Sequence, residues 1–323
     1  MRERNLTSIF AEEINKYLDH MIILGYKEIS YRNTLNLFDR FCTVHALSSP
    51  VFTRELADQW IKKRDGEADK THYSRINATK NFLIYLANKK YDVYITKDIK
   101  CKPTQFKPHI YTMDEVERYF DAVDSFDSPS SKKHKIQFPL LFRILYCCGT
   151  RINETLSIRK NEVDLDAGVI KLSKTKNSKE RYIVLGEELT ILMRQYANKT
   201  FYLLDDDGYI FTSRNDNRLT GDLVYGYHRE FLRIAGIPFR GKYLGPRIHD
   251  WRYTFSVYAF KQMIDSGMDM YVALPILSTY LGHKTIYATE HYVKLALSIF
   301  PYIEEKFEGI AEKIFGGMTN EDN

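Results

Sequence analysis

The sequence predicts a mainly α-helical chain with one small β-sheet: an all-α four-helix first domain and an α+β second domain. Three observations carry this. Apolar residues recur at helical spacing through four segments before residue 90, with no strand pattern among them. A stretch bearing Pro103, Pro108 and three lysines then interrupts the pattern. Beyond it, two short runs of branched residues flank a polar stretch, and helical patterns dominate what remains.

The first helix spans about 7–25 through Phe10, Ile14, Tyr17, Leu18 and Met21, with Gly25 placed to end it. A second, at about 29–45, uses Tyr31, Leu35, Phe38 and Phe41. Thr53 is an N-cap for a third, through Leu56 and Trp60. A fourth, at about 70–89, turns Ile76, Phe82, Leu83 and Leu86 inward. These make a domain over 1–100. Residues 101–111 read as a basic linker, whose lysines either face solvent or lie as a strap against phosphates. Thr112 and Glu115 form a capping-box pattern that opens a second domain over 112–323. There an apolar helix covers about 138–148, and another starts at Ile152. Val169–Ser173 and Arg181–Leu185 are strand runs joined by a polar hairpin. Apolar residues from Leu295 through Ile299, Ile303, Phe307, Ile310 and Ile314 predict a tail helix from about 295.

Composition narrows the class. With 323 residues, 44% hydrophobic and 28% charged, the chain is an ordinary globular one, and a net charge of +5 permits nucleic acid without demanding it. Cys42, Cys101, Cys147 and Cys148 lack metal-ligand spacing and read as buried free thiols in a reducing compartment. No h-region opens the chain and no run of eighteen apolar residues occurs, so a cytoplasmic protein without membrane contact is expected. Gly236 to Lys242 imitates a phosphate loop, but Tyr243 stands where Ser or Thr is needed. No metallohydrolase pattern occurs, and neither metal nor cofactor is expected.

The chemistry concentrates between Pro246 and Lys294. His249-Asp-Trp-Arg252 opens the stretch, and Leu281-Gly-His283 followed by Tyr292 closes it. Attack on a phosphodiester needs a nucleophile, cationic donors on the non-bridging oxygens and a proton donor for the leaving oxygen. Arginine suits the second role through its permanently charged fork, and lysine or histidine suits the third. Taken singly, each residue also has a structural reading: His249 as a cap or satisfied core histidine, Arg151 as a surface residue at a helix start. Lys176 competes with Lys174 and Lys179, and Tyr292 is one of 24 tyrosines.

Taken in order, Gly149-Thr-Arg151-Ile-Asn-Glu154, Thr-Lys176-Asn-Ser-Lys179-Glu-Arg181, His249-x-x-Arg252, Leu281-Gly-His283 and Tyr292 nine residues later resemble the tyrosine recombinase (integrase) family of DNA breaking-rejoining enzymes. The resemblance covers nearly all of the second domain, and the helical first domain fits the family's core-binding domain. It implies site-specific recombination of double-stranded DNA at core sites with inverted repeats, for integration, excision or resolution, as in mobile elements and transposition. By resemblance, Tyr292 attacks to give a 3′-phosphotyrosine, and Arg151 and Arg252 hold the phosphate. Lys176 protonates the leaving 5′-oxygen, His249 and His283 assist, and Glu154 supports Arg151. ATP and divalent metal are not required.

The resemblance also implies a homotetramer linked through exchanged C-terminal tails, with an accessory directionality factor as a further partner. The first helix starts near residue 7, which reads as the simple type without an arm-binding domain. In the first domain, Arg32, His72, Tyr73, Arg75 and Lys80 are candidate DNA contacts, with Lys102 and Lys107 in the linker; ordinary polar faces are the alternative. Two rival functions use the same fold: topoisomerase-like relaxation of type IB, and a non-catalytic DNA-binding accessory protein.

Overall fold

In a computed structural model of the chain, the structure describes residues 6–26, 28–101, 107–127, 132–173, 180–241, 245–283, 285 and 287–303. The candidate acid Lys176 and the linker residue Lys102 lie outside the described residues, as does the tail beyond Ile303. Two units emerge, Met1–Gln105 and Phe106–Asn323.

The first unit contains α1 (Ala11–Ile23), α2 (Glu28–Val44), α3 (Arg54–Ile61) and α4 (Asp69–Asn88). Gly25 takes φ +82°, a left-handed conformation that lets the chain turn after α1. Thr53 caps α3, its hydroxyl accepting from the Leu56 N–H. Phe38 on α2 is the hub of the core: its ring lies 5.1 Å from Phe52, 5.4 Å from Trp60 and 5.9 Å from Phe82. Each such fully buried aromatic contributes about 2–3 kcal/mol of transfer free energy.

The candidate DNA contacts of this unit divide sharply. Arg75 is 3% exposed, and its guanidinium is spent on Glu67 (2.8 Å) and on the carbonyls of Trp60 and Lys62 (2.6 and 3.1 Å). Glu67 is thereby held at about 2, with the Arg75 hydrogen bond as the largest cause. Exposing Arg75 to a base would leave that buried carboxylate unpaired, so Arg75 fastens the loop before α4 and is corrected from reader to structural residue. His72 is tied likewise, by a 2.7 Å bond between Nε2 and the Ile61 carbonyl. Arg32 pairs with Glu28, Lys80 bonds Asp98 at 2.6 Å, and Tyr73 lies beneath the Lys70 ammonium. Lys107, in the second unit, is exposed.

The second unit opens with α5 (Met113–Asp124), whose Thr112–Glu115 capping box is formed in both directions, at 3.2 and 3.0 Å. Next come α6 (Lys132–Cys147), α7 (Ile152–Thr155), β1 (Val163–Asp164), β2 (Val169–Leu172), β3 (Arg181–Val184), α8 (Glu187–Thr200) and α9 (Gly221–Ile234). α6 starts six residues before its apolar run, because its first turn is basic and solvated apart from His134, which stacks on Phe138 at 4.9 Å. The strands form an antiparallel sheet in the order β1-β2-β3, with Ile170 opposite Ile183 and Leu172 opposite Arg181. Of the thiols, Cys42 and Cys148 are buried, whereas Cys147 is exposed on the other side of its helix end and Cys101 is partly covered.

α10 (Asp250–Asp265), α11 (Met270–Leu281) and α12 (Tyr287–Ile299) pack around Val257, Phe260, Leu277, Leu281 and Ala296. This corrects the start of the tail. The helix bearing the candidate nucleophile continues to Ile299, and Ala296 and Ile303 are fully buried in their own chain. Among the described residues, no helix is long and apolar enough to cross a membrane.

Candidate active site

Gly149 makes the first corner. Its φ is +58°, and a Cβ there would lie 2.3 Å from the Phe255 ring on α10, so only glycine serves. The corner delivers Arg151 to the start of α7. Arg151 Nη1 donates to Glu154 Oε1 at 2.7 Å, and its backbone N–H to Oε2 at 3.0 Å. Arg181, at the head of β3, donates to the same Oε2 at 2.7 Å. Burial alone would raise the Glu154 carboxyl, but Arg181 and then Arg151 outweigh it and hold it at about 2. Glu154 is therefore an ionised brace between two arginines.

α10 supplies the second corner. Its first turn is pinned from below: Trp251 stacks on Tyr111 at 3.9 Å and 4°, and Thr254 accepts from the Tyr111 N–H. Buried Asp250 accepts from Arg247 at 3.1 Å. Arg252, 1% exposed, donates from Nη1 to the Gly149 carbonyl (2.8 Å). Its Nη2 reaches the Leu281 carbonyl (2.6 Å) and His283 Nε2 (3.0 Å). One guanidinium thus ties together the ends of α6, α10 and α11. Burial pushes it down to about 10, with Arg151 adding to the shift and Tyr292 opposing it, so it stays charged at neutral pH.

Gly282, left-handed at φ +66°, ends α11 and turns the chain into His283. Arginine only donates, so His283 Nε2 accepts and the ring's single proton sits on Nδ1, which faces Thr289 Oγ1 at 2.7 Å. The Tyr292 ring stacks on His283 at 5.6 Å and 8°, and packs at 4.8 Å against Tyr253. Tyr292 is 5% exposed, and its hydroxyl acts electrostatically on the Arg252 guanidinium, favouring the charged form. His249 sits at the rim with an exposed ring, edge-on to Tyr253 at 5.3 Å. The protein atoms around it, then Arg252, Arg247 and Arg151, lower its proton affinity. The water its exposed face retains tempers that shift without changing its direction.

Burial, then Arg252, Arg151 and Arg181, lowers His283 from the usual 6.5 to about 4, against a weaker pull from Glu154. Between those values the unfolded chain binds a proton that the folded chain refuses, so stability falls as pH falls through that window. The unfolding temperature is expected to decline from about pH 7 to about pH 5, and to decline less steeply in His283→Gln, which cannot titrate. Equal slopes would contradict the assignment of a neutral His283.

Arg151, Glu154, Arg252, His283 and Tyr292 are thus brought together, with His249 at their edge. Residues that sequence reasoning left without a role also belong here: Arg181, Thr289, Tyr253 and Asp250. Arg181 carried a usable signal, because it shares the inward register of Ile183, where a charge demands a partner. Thr289 and Tyr253 carried none.

Residues 110–298, more than half of the chain, match the phage integrase family. A putative integrase/recombinase of Sinorhizobium fredii is 28% identical over 301 residues, covering 88% of this chain and 93% of that protein. The tyrosine recombinase XerD of Pseudomonas putida is 26% identical over 276 residues, covering 83% and 86%. Among solved structures, the XerH site-specific recombinase bound to palindromic difH substrate, in a post-cleavage complex, superposes with a TM-score of 0.63 at 18% identity, over 87% of this chain and 80% of that one. The matched span contains every candidate catalytic residue named above, and the chain belongs to the phage integrase family of tyrosine recombinases.

Proposed function

We propose that this site-specific recombinase cuts and rejoins duplex DNA through a covalent 3′-phosphotyrosyl bond to Tyr292. The observation that carries the proposal is the junction of Arg252, His283 and Tyr292: a fixed cation, a neutral imidazole and a phenol hydroxyl meet at one point. A scissile phosphate entering between Arg151 and Arg252 receives charge-assisted donors on its non-bridging oxygens. The Tyr292 oxygen attacks phosphorus, and its proton passes to a neutral imidazole; His249 is the candidate acceptor, because the Nε2 lone pair of His283 is engaged by Arg252 and its Nδ1 carries the ring proton. The bond to the 5′-oxygen breaks as Lys176 delivers a proton to it. Reversal with a 5′-hydroxyl from a second duplex rejoins the strands, so the energy of the original bond is kept in the tyrosyl ester. Duplex DNA as partner is supported by membership of the phage integrase family and by the similar XerH structure, a site-specific recombinase bound to its palindromic difH substrate.

The test uses purified protein and a nicked duplex carrying a site selected by binding from a random pool, in buffer containing a metal chelator. A denaturation-resistant protein–DNA adduct with a free 5′-hydroxyl is expected; its absence, with binding intact, would sink the proposal. Lys176→Ala should slow adduct formation by about 10²–10⁴. A 5′-bridging phosphorothiolate, whose sulfur leaves without a proton, should erase that deficit. If it does not, Lys176 is not the acid.

Assembly into a homotetramer on paired sites, through the segment after Ile303, completes the reading. Truncation after Ile303 should preserve folding and DNA binding while weakening assembly in gel filtration on DNA. Truncation from Leu295 should instead unfold the second unit, because Ala296 and Ile303 are core. Full assembly by the shorter chain would contradict the tail's role.

A further inference from the structure

Arg181 has no part in the reaction as described, yet it is built into the site. Its side chain is 11% exposed, and it bonds the Glu154 oxygen opposite the one held by Arg151 Nη1. It also lies against the left-handed turn before His283: a Cβ on Gly282 would come 3.2 Å from Arg181 Nη1 and 3.3 Å from its Cδ. One side chain therefore touches both the brace behind one phosphate-binding arginine and the turn that presents the histidine.

The charge balance gives this contact a consequence. Among the described residues, Arg151, Arg181 and Arg252 are positive, Glu154 is negative and both histidines are neutral, a surplus of two positive charges. A phosphodiester carries one negative charge, and the pentavalent state formed by tyrosine attack carries two on its non-bridging oxygens. Without Arg181 the surplus is one, and Glu154 turns its whole charge on Arg151. The loss falls where charge develops in the transition state.

We infer that Arg181 is a positioning residue for strand cleavage, sharing the Glu154 carboxylate so that Arg151 is free for the scissile phosphate, and bracing the Gly282 turn that holds His283. This rests on the Tyr292 reading above.

The experiment is single-turnover cleavage of the nicked duplex with either an ordinary phosphodiester or a methylphosphonate at the scissile position. The methylphosphonate transition state carries one negative charge fewer. Arg181→Met should cleave the diester about 10²-fold more slowly with little change in DNA affinity, and its deficit should shrink to under about tenfold on the methylphosphonate. Arg181→Lys should recover part of the diester rate. The double variant Glu154→Gln/Arg181→Met restores the surplus of two charges and should outpace Arg181→Met on the diester. Equal deficits of Arg181→Met on the two substrates, or a double variant no faster than it, would overturn the inference, as would a wild-type rate in Arg181→Met. Should Arg181→Met not fold, the double variant alone decides: its deficits on the two substrates should match, and a larger one on the diester overturns the charge account. Failure of the unaltered protein to form any adduct would instead remove the Tyr292 reading itself.

Discussion

Tyr292→Phe is expected to bind its DNA site as the unaltered protein does and to form no covalent adduct. The substitution removes only the hydroxyl; the ring that stacks on His283 and packs against Tyr253 remains, in a position 5% exposed. The fold should therefore survive with a stability change within about 1 kcal/mol, the scale of one hydrogen bond. The chemical loss should be complete, because the hydroxyl that forms the ester is gone. Band shift on the intact site and denaturing gels on the nicked one separate the two effects. A persistent adduct would assign the reaction to another of the 24 tyrosines.

Arg252→Ala should fail in two ways at once. Cleavage should fall by about 10³ or more, the range for losing a preorganised donor to a developing oxyanion. Stability should also fall by roughly 2 kcal/mol or more, because the carbonyls of Gly149 and Leu281 lose their shared donor inside the protein. Removing a buried charge relieves some desolvation, which is why the loss is not larger. Arg252→Lys separates the effects: it keeps the charge but cannot reach both carbonyls and His283 Nε2 together. It should recover stability in part and leave cleavage depressed. Urea unfolding with single-turnover kinetics checks both, and an Ala variant of unchanged stability would show that the three-way tie does not hold the site together.

How far the site was legible depended on what kind of information each residue carried. The set Arg151, His249, Arg252, His283 and Tyr292 was legible through its ordered match to a family's motifs, and the structure gathers these residues into one place. Helix edges with strong local signals, such as the Thr53 cap and the Thr112–Glu115 box, were also readable. Long-range pairing was not. Arg75 looked like a polar-face arginine because the acid that buries it, Glu67, lies eight residues away across a loop. The two-residue strand β1 is defined only by its partner β2. The tail was placed too early because its apolar spacing runs on without a break from α12, and only tertiary burial of Ala296 and Ile303 marks the boundary. Arg181 stood inside a recognised motif, but its role depends on Glu154, which is 27 residues earlier in the chain.

The central claim is that Tyr292 becomes covalently joined to DNA. Its most direct test is to trap the adduct on a nicked duplex, digest protein and DNA, and locate the nucleotide-bearing peptide by mass spectrometry. The account predicts a 3′-nucleotidyl group on Tyr292 within the peptide containing His291 and Lys294. Attachment to neighbouring Tyr253 or Tyr280, or to any residue other than Tyr292, would contradict it.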